Sequence, residues 1–440
     1  MKFIEYEQID LFEKNKKTKT NIKKSLKTTF TSNMKLPIHR WYRFSAGFSA
    51  EWAKKIISEN ITDDSQVVLD PFAGSGTTML ASDTIGVSSI GFEAQPFIWK
   101  MANSKTNWDI NPVLFWEYAN TILTTAQNNL KDEQLEEYPQ IIFKSFSEEN
   151  ILKLQSLVHS TKSLSSEKKI DQKIVNLLSF TISAILRNTA HVGTAQWQYI
   201  LPNKKSKGNE PFNEYLKKAL QIYNDINLYK KADIKKKSQI FFGSSKNMDK
   251  LANNSVDFVL TSPPYANNYD YADTTRLEMS FYHEITGWGD LQDKVRKDLV
   301  HSSTQSITKL RSKTYELIDD PLLKSIHEDL YNKCKTLENE KNNHGGKKNY
   351  YTMIAAYFYD IAQILKELRR VCKPGSRMCW VIGDSAPYGI YIPVDEWIGK
   401  IAVNVGFKSY SFIKERDRNV KWKNRKHTVP LKEGYLWIEG

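Results

Sequence analysis

Val67-Val68-Leu69-Asp70-Pro71-Phe72-Ala73-Gly74-Ser75-Gly76-Thr77-Thr78 is the stretch that decides the fold. Apolar, β-prone residues run into an acid and then a proline. Proline lacks an N–H and fixes φ, so a short buried strand ends at Asp70. Two glycines follow, and glycine lets backbone approach a ligand closely. A helix starts at Thr77 or Thr78. About twenty residues on, a second strand, Ser89-Ile90-Gly91-Phe92, ends in Glu93. Strand, glycine loop, helix, strand and acid together indicate an α/β fold whose sheet binds ligands beyond the carboxyl ends of its strands.

A carboxylate at the place of Glu93 can accept both hydroxyls of a ribose. The third glycine of the dinucleotide fingerprint is replaced by Met79, and no lysine follows Gly76 as a triphosphate loop requires. A nucleoside with a zwitterionic tail fits better, with Glu93 at the ribose and Asp70 and the loop amides near the tail. That describes S-adenosylmethionine. The candidate cofactor residues are therefore Asp70, Pro71, Phe72, Ala73, Gly74, Ser75, Gly76, Thr77, Thr78 and Glu93, with Ser244 at the end of a third strand, Gln239-Ile240-Phe241-Phe242.

A second stretch stands beside the first. Val256-Asp257-Phe258-Val259-Leu260 reads as a buried strand and stops at Thr261-Ser262-Pro263-Pro264-Tyr265. Two prolines in a row end the strand abruptly. Its end presents a hydroxyl, rigid carbonyls and an aromatic ring above the sheet.

With 440 residues the chain is too long for one ordinary domain, which implies a core with insertions. The 63 basic and 50 acidic residues leave a net charge of +13, which favours a polyanionic partner; a lysine-rich solvated exterior gives the same total. Cys334, Cys372 and Cys379 are too few and too irregular for a disulfide framework or a four-cysteine zinc site, and no metal is expected. The N-terminus has no apolar secretory core, and no apolar run reaches the roughly 18–20 residues that span a bilayer. A cytoplasmic protein without a membrane partner is the expectation.

The pattern divides into a basic arm over 1–33, core over 34–104, a helical insertion over 105–236, core over 237–283, a polar basic insertion over 284–348 and core over 349–440. His39-Arg40-Trp41-Tyr42-Arg43-Phe44 either touches a cofactor or packs on the core. The first insertion carries Arg187, Gln196 and Trp197, side chains that pair with base edges or stack on bases, and Lys204 and Lys205, suited to phosphates. The second insertion shows little periodicity. Tyr350 to Val371 is an amphipathic helix with Ile354, Tyr357, Phe358, Ile361 and Leu365 on one face. Pro374-Gly375 turns the chain into a strand from Met378. Phe407 to Ile413 and Gly434 to Ile438 read as two more strands, and the basic loop between them offers Arg418, Lys421 and Arg425 to a nucleic-acid backbone.

Asp70 to Thr78 resembles motif I of the amino-methylating DNA methyltransferases, and Thr261 to Tyr265 resembles their catalytic motif in its Ser-Pro-Pro-Tyr form. Phe44-Ser45-Ala46, Asn268-Tyr269-Asp270-Tyr271 with Arg276-Leu277-Glu278, and Cys372-Lys373-Pro374-Gly375 are also similar to family members. The resemblance covers about half of the chain. It implies a Rossmann-like methyltransferase core with a mostly parallel seven-stranded sheet, and Ser262, Pro263, Pro264 and Tyr265 as catalytic residues. The Ser form is typical of cytosine-N4 enzymes and Asp or Asn forms of adenine-N6 enzymes. The cofactor motif precedes the catalytic one here, whereas many cytosine-N4 members run in the opposite order.

The chemistry this implies is direct transfer. An exocyclic amine is a poor nucleophile because its lone pair is delocalised, and hydrogen bonds to Ser262 and a proline carbonyl hold it for in-line attack. Positioning of this kind can supply about 7–11 kcal/mol. Tyr265 stacks on a base flipped from the duplex. Carbon methylation needs a nucleophilic cysteine, and neither Cys372 nor Cys379 stands in the Pro-Cys context of that family. The expectation is a sequence-specific cytosine-N4 methyltransferase of duplex DNA, paired with a restriction endonuclease. An adenine-N6 enzyme, an RNA methyltransferase and a non-catalytic binding protein on the same fold are the alternatives.

Overall fold

The computed structural model describes residues 30–44, 46–194, 200–205, 207–418 and 429–440, with no side-chain description over 193–205. Residues 1–29 of the basic arm, Gln196, Trp197, Lys421 and Arg425 lie outside the described residues, and so do the side chains of Lys204 and Lys205.

The strands are β1 Val67–Asp70, β2 Ser88–Glu93, β3 Val192–Thr194, β4 Ile200–Lys205, β5 Ser238–Phe242, β6 Val256–Thr261, β7 Cys372–Gly383, β8 Ser409–Arg418 and β9 Leu431–Glu439. Seven form one sheet in the order β5-β2-β1-β6-β7-β9-β8, and β3 and β4 form a separate hairpin. Pairing is parallel from β5 through β7, and β9 is antiparallel to both β7 and β8. From β1 the chain winds outward through β2 to β5, then returns to β6 on the other side of β1. The crevice at that reversal lies between the carboxyl ends of β1 and β6. The cofactor stretch and the Ser-Pro-Pro-Tyr stretch end there side by side.

Local sequence explains the elements around the crevice. Helix α1, Ala50–Asn60, is capped by Ser49, whose Oγ accepts from the Trp52 N–H at 3.4 Å. Helix α2, Thr77–Thr84, begins after Gly76, which has φ of 80°, a left-handed value that favours glycine. Met79 sits where the dinucleotide fingerprint has its third glycine, and the fold compensates on the neighbouring strand. A Cβ on Gly91 would lie 2.6 Å from the Met79 methyl and 2.9 Å from Ala73 Cβ. The small residue that lets helix and sheet approach has moved from the helix to β2.

The helix Tyr350–Val371 buries all five residues of its expected face against the sheet. Three expectations need adjustment. Pro374-Gly375 does not end the helix with a free turn: β7 already begins at Cys372, and Gly375, at φ 81°, lies within the strand where its register with β6 shifts. The strands β8 and β9 run to Arg418 and from Leu431, longer than their apolar stretches, because ladder pairing continues through polar residues. The second insertion contains the helix His327–Asn343, whose buried Leu330, Cys334 and Leu337 join the cluster formed by the sheet and the helix Tyr350–Val371. Only three of its seventeen residues are buried, so the amphipathic signal was too thin to read.

The first insertion is mainly helical, with Pro112–Asn129, Glu148–Glu167, Gln172–Ser183 and Pro211–Lys231. Its apolar residues share a cluster with helix α3, Pro96–Thr106, on the opposite face of the sheet. No helix among the described residues is long and apolar enough to cross a membrane.

Candidate active site

Asp70 is the joint between the two stretches. Its carboxylate is 1% exposed and accepts from Thr78 Oγ1 at 2.6 Å, Thr261 Oγ1 at 2.6 Å and the Phe72 N–H at 3.0 Å. Burial pushes its pKa up to about 6, against the pull of those donors. Strand β1, helix α2 and strand β6 therefore meet on one side chain. This differs from the expectation that Asp70 reaches a ligand tail, since its oxygens are already engaged within the fold.

Glu93 stands across the glycine loop. Its Oε2 accepts from the Gly74 N–H at 3.0 Å and its Oε1 from the Gln95 N–H at 2.8 Å. Burial pushes this carboxyl up to about 7, and nearby Asp70 adds to the rise. Gly74 has φ of 51°, and a Cβ there would lie 3.1 Å from the Phe44 ring. The loop is thus closed between Glu93 below and Phe44 beside it. Ser245 Oγ donates to the Pro71 carbonyl and ties the end of β5 to the same loop.

Ser262 follows directly after β6. Its hydroxyl donates to the Val381 carbonyl of β7 at 3.2 Å, so its hydrogen is used within the sheet and its oxygen remains an acceptor. The Pro264 carbonyl accepts from Tyr357 OH at 2.9 Å. One cavity connects the two halves: Pro71, Phe72, Gly74, Glu93 and Ser244 line it together with Ser262 and Pro264. The empty space inside it, open mouth included, is about 900 Å³.

Comparison with known proteins shows what the chain is similar to. A family model described as DNA methylase covers residues 4–104. The Type II methyltransferase M.BsoBI of Geobacillus stearothermophilus is 27% identical over 440 residues, spanning 89% of this chain and 83% of its own. M.AvaI of a Nostoc species is 24% identical, with 86% and 81% covered. M.MvaI of Kocuria varians is 23% identical, with 86% and 83% covered. The chain thus carries a match to the DNA methylase family over its N-terminal part and is similar to Type II methyltransferases along most of its length.

S-adenosylmethionine is the methyl donor, and the residues lining the cavity fit it. Glu93 keeps lone pairs for ribose hydroxyls beyond the two backbone donors it accepts. Gly74 leaves open the approach that a Cβ would narrow. Of the candidate cofactor residues, Pro71, Phe72, Gly74, Glu93 and Ser244 line the cavity, while Asp70, Ala73, Ser75, Gly76, Thr77 and Thr78 are buried behind it. The methylase has no thiol at the site. Cys334, Cys372 and Cys379 are buried and unpaired; burial raises all three, the first two to about 12, and none lines the cavity.

Around the catalytic stretch, Arg418 lies over the Tyr265 ring, its Cζ 5.0 Å from the centroid, and donates to the Asp384 carbonyl at 2.8 Å. Burial raises the Tyr265 phenol above its ordinary value, with Glu433 adding to the rise. Arg187 corrects the sequence reading. Its guanidinium forks onto Glu278, at 2.6 and 3.1 Å, and donates to the Thr274 carbonyl at 2.6 Å, while Tyr42 OH donates to the same Glu278 at 2.7 Å. A fork engaged in this way joins the first insertion to the segment after Ser-Pro-Pro-Tyr and is not presented to a base.

The aromatic-basic cluster before α1 packs on the core, and one of its rings also reaches the cavity. Phe44 lines the cavity, while Arg40 and Trp41 pack on the fold and bind buried Asp225. What the sequence reading missed is the far wall. Arg296, Asp298, Leu299, Val300, Ser302, Ser303 and Ser306 line the cavity opposite motif I, and all come from the start of the second insertion. No described residue of 105–236 lines it.

Proposed function

We propose that this chain is the modification enzyme of a Type II restriction–modification pair and methylates the N4 amine of cytosine, extruded from duplex DNA. The observation that carries the reading is Ser262, with its hydrogen engaged by Val381, lining one cavity with Gly74 and Glu93. When bound, S-adenosylmethionine supplies an electrophilic methyl group. The Ser262 oxygen accepts one hydrogen of the target amine. A proline carbonyl of the same stretch accepts the second hydrogen. Both bonds draw the nitrogen toward a tetrahedral geometry and free its lone pair. Tyr265, braced by Arg418, supplies the ring on which the base stacks, offsetting part of an unstacking cost of a few kcal/mol.

The choice of cytosine rests on the Ser form of the motif. The names of the full-length relatives support pairing with an endonuclease, and the net charge of +13 supports a duplex partner. The first insertion, whose described residues stay clear of the cavity and whose sequence carries Lys204 and Lys205 on a hairpin, is assigned to reading the target sequence.

The test is to incubate the protein with methyl-labelled donor and a library of duplexes, then digest to nucleosides. Label is expected in N4-methylcytosine, and Ser262→Ala is expected to lower it about a hundred-fold, as for loss of one positioned hydrogen-bonding group. Label in N6-methyladenine overturns the base assignment. Label in no DNA overturns the reading as a whole.

A further inference from the structure

Among the described residues, three carboxylates line the cavity, and two of them are engaged. Glu93 accepts from the Gly74 and Gln95 amides. Asp270 is forked by Arg296, with Nε at 3.1 Å and Nη2 at 2.5 Å from Oδ2, and also accepts from the Ala272 N–H at 3.2 Å. The third is Asp298. It is half-buried, lines the cavity with Ser262, and its carboxylate has no hydrogen-bond or ion-pair partner among the described residues. An acid left unpaired in a cleft is a candidate for work on a ligand.

Its position is fixed from both sides. The Asp298 N–H donates to the Val295 carbonyl at 3.2 Å, and Arg296 is anchored to Asp270. Beyond it, His301 places both its N–H, at 3.0 Å, and its Nδ1, at 2.6 Å, on Asp360 Oδ2. Ser302 Oγ donates to the Tyr269 carbonyl at 3.0 Å, and the Thr304 N–H donates to Asn268 Oδ1 at 2.8 Å. The strap 296–306 is therefore pinned to the segment directly after Ser-Pro-Pro-Tyr and to the helix Tyr350–Val371. The other titratable groups lining the cavity are Glu93, Asp270, Tyr271 and Arg296.

We infer that Asp298 is a catalytic residue that receives the proton released from the target amine. The inference rests on the methylation reading above. The amine lone pair forms the N–C bond as the donor's C–S bond breaks, and the sulfur leaves as a neutral thioether. The nitrogen then carries a positive charge and one proton too many. Ser262 is neutral and its hydrogen is engaged, so it contributes no charge. The Asp298 carboxylate supplies the countercharge during transfer and takes the proton, becoming a neutral acid that solvent at the cavity mouth deprotonates.

The experiment compares wild type, Asp298→Asn and Asp298→Glu in single-turnover methylation of duplex DNA at saturating donor, alongside calorimetric affinity for S-adenosylhomocysteine. Asp298→Asn is expected to slow transfer about a hundred-fold, a value typical of a lost general base. S-adenosylhomocysteine affinity is expected to stay within about twofold, and Asp298→Glu to recover part of the rate. If Asp298→Asn does not fold, Asp298→Ser carries the same readout. A rate within about threefold of wild type overturns the inference. Lost S-adenosylhomocysteine affinity, alone or together with the rate, also overturns it and assigns Asp298 to the cofactor. A wild-type protein that methylates no DNA overturns the function first and the inference with it, so the two failures are distinguishable.

Discussion

The insertion at 105–236 is bolted to the core at its root and its described residues stay out of the cavity, whereas the insertion at 284–348 sends residues near its start through the cavity wall. The first is held by buried charge. Asp225, fully buried on the helix Pro211–Lys231, accepts from the Ile38 N–H at 3.0 Å, Arg40 Nε at 3.1 Å and Trp41 Nε1 at 2.9 Å. The second is held by Arg296 on Asp270 and by short polar contacts along the strap. The difference separates two tasks. A module that reads sequence can be exchanged without disturbing the chemistry if it is rooted firmly and kept clear of the reacting atoms. A segment that forms the wall of the reaction cavity cannot.

The largest effect is expected at the root of the first insertion. Asp225→Ala leaves the Arg40 guanidinium and two N–H donors without their acceptor, and losing one partner of a buried pair costs about 3–5 kcal/mol. Denaturant unfolding should show that loss, while the protein that remains folded binds S-adenosylhomocysteine almost as before. Unchanged stability breaks the comparison at its stronger end.

A smaller effect is expected at the strap. Arg296→Met releases Asp270 at the cavity wall, where water enters as the strap lifts, so the folding penalty is smaller than at Asp225. Methyl transfer, which needs the wall in place, is expected to fall at least about tenfold, on the reasoning that small misplacements in a reacting pair cost this much or more. Activity within twofold of wild type shows that the strap is not part of the working cavity.

How much of this was legible in the sequence follows the same division. Motif I, Glu93 and Ser262 were readable because each is local: a strand, its abrupt end and the residue placed there lie within a dozen positions. The lock at Asp70 was half readable. The acid was evident, but Thr261, which engages it, is 191 residues away. The strap was not readable. Arg296 to Ser306 has no periodicity and no turn signature, and its anchors Asp270 and Asp360 lie 26 and 59 residues away. Arg187 looked like a ligand-facing charge because a sequence does not say which charges find a buried partner.

A pH effect sharpens the cofactor side. Burial raises Glu93 to about 7, and the carboxylate form is the one that accepts ribose hydroxyls. Binding that favours ionised Glu93 is fully present above that value and is lost as pH falls through it. S-adenosylhomocysteine affinity, measured by calorimetry, is expected to rise about tenfold from pH 6 to pH 8 and to level off beyond. Glu93→Gln should bind more weakly and show a flat profile. A wild-type profile that is flat, or that falls with pH, removes Glu93 from the ribose.

The claim on which these expectations depend is that donor and target amine share the cavity between Gly74 and Ser262. A crystal structure of the protein with S-adenosylhomocysteine and a methylatable duplex tests it most directly. The account predicts the ribose hydroxyls on Glu93 and an extruded cytosine with its amine on Ser262, the nitrogen facing the sulfur across one continuous space. A ligand bound elsewhere, or a base whose amine lies away from Ser262, contradicts it.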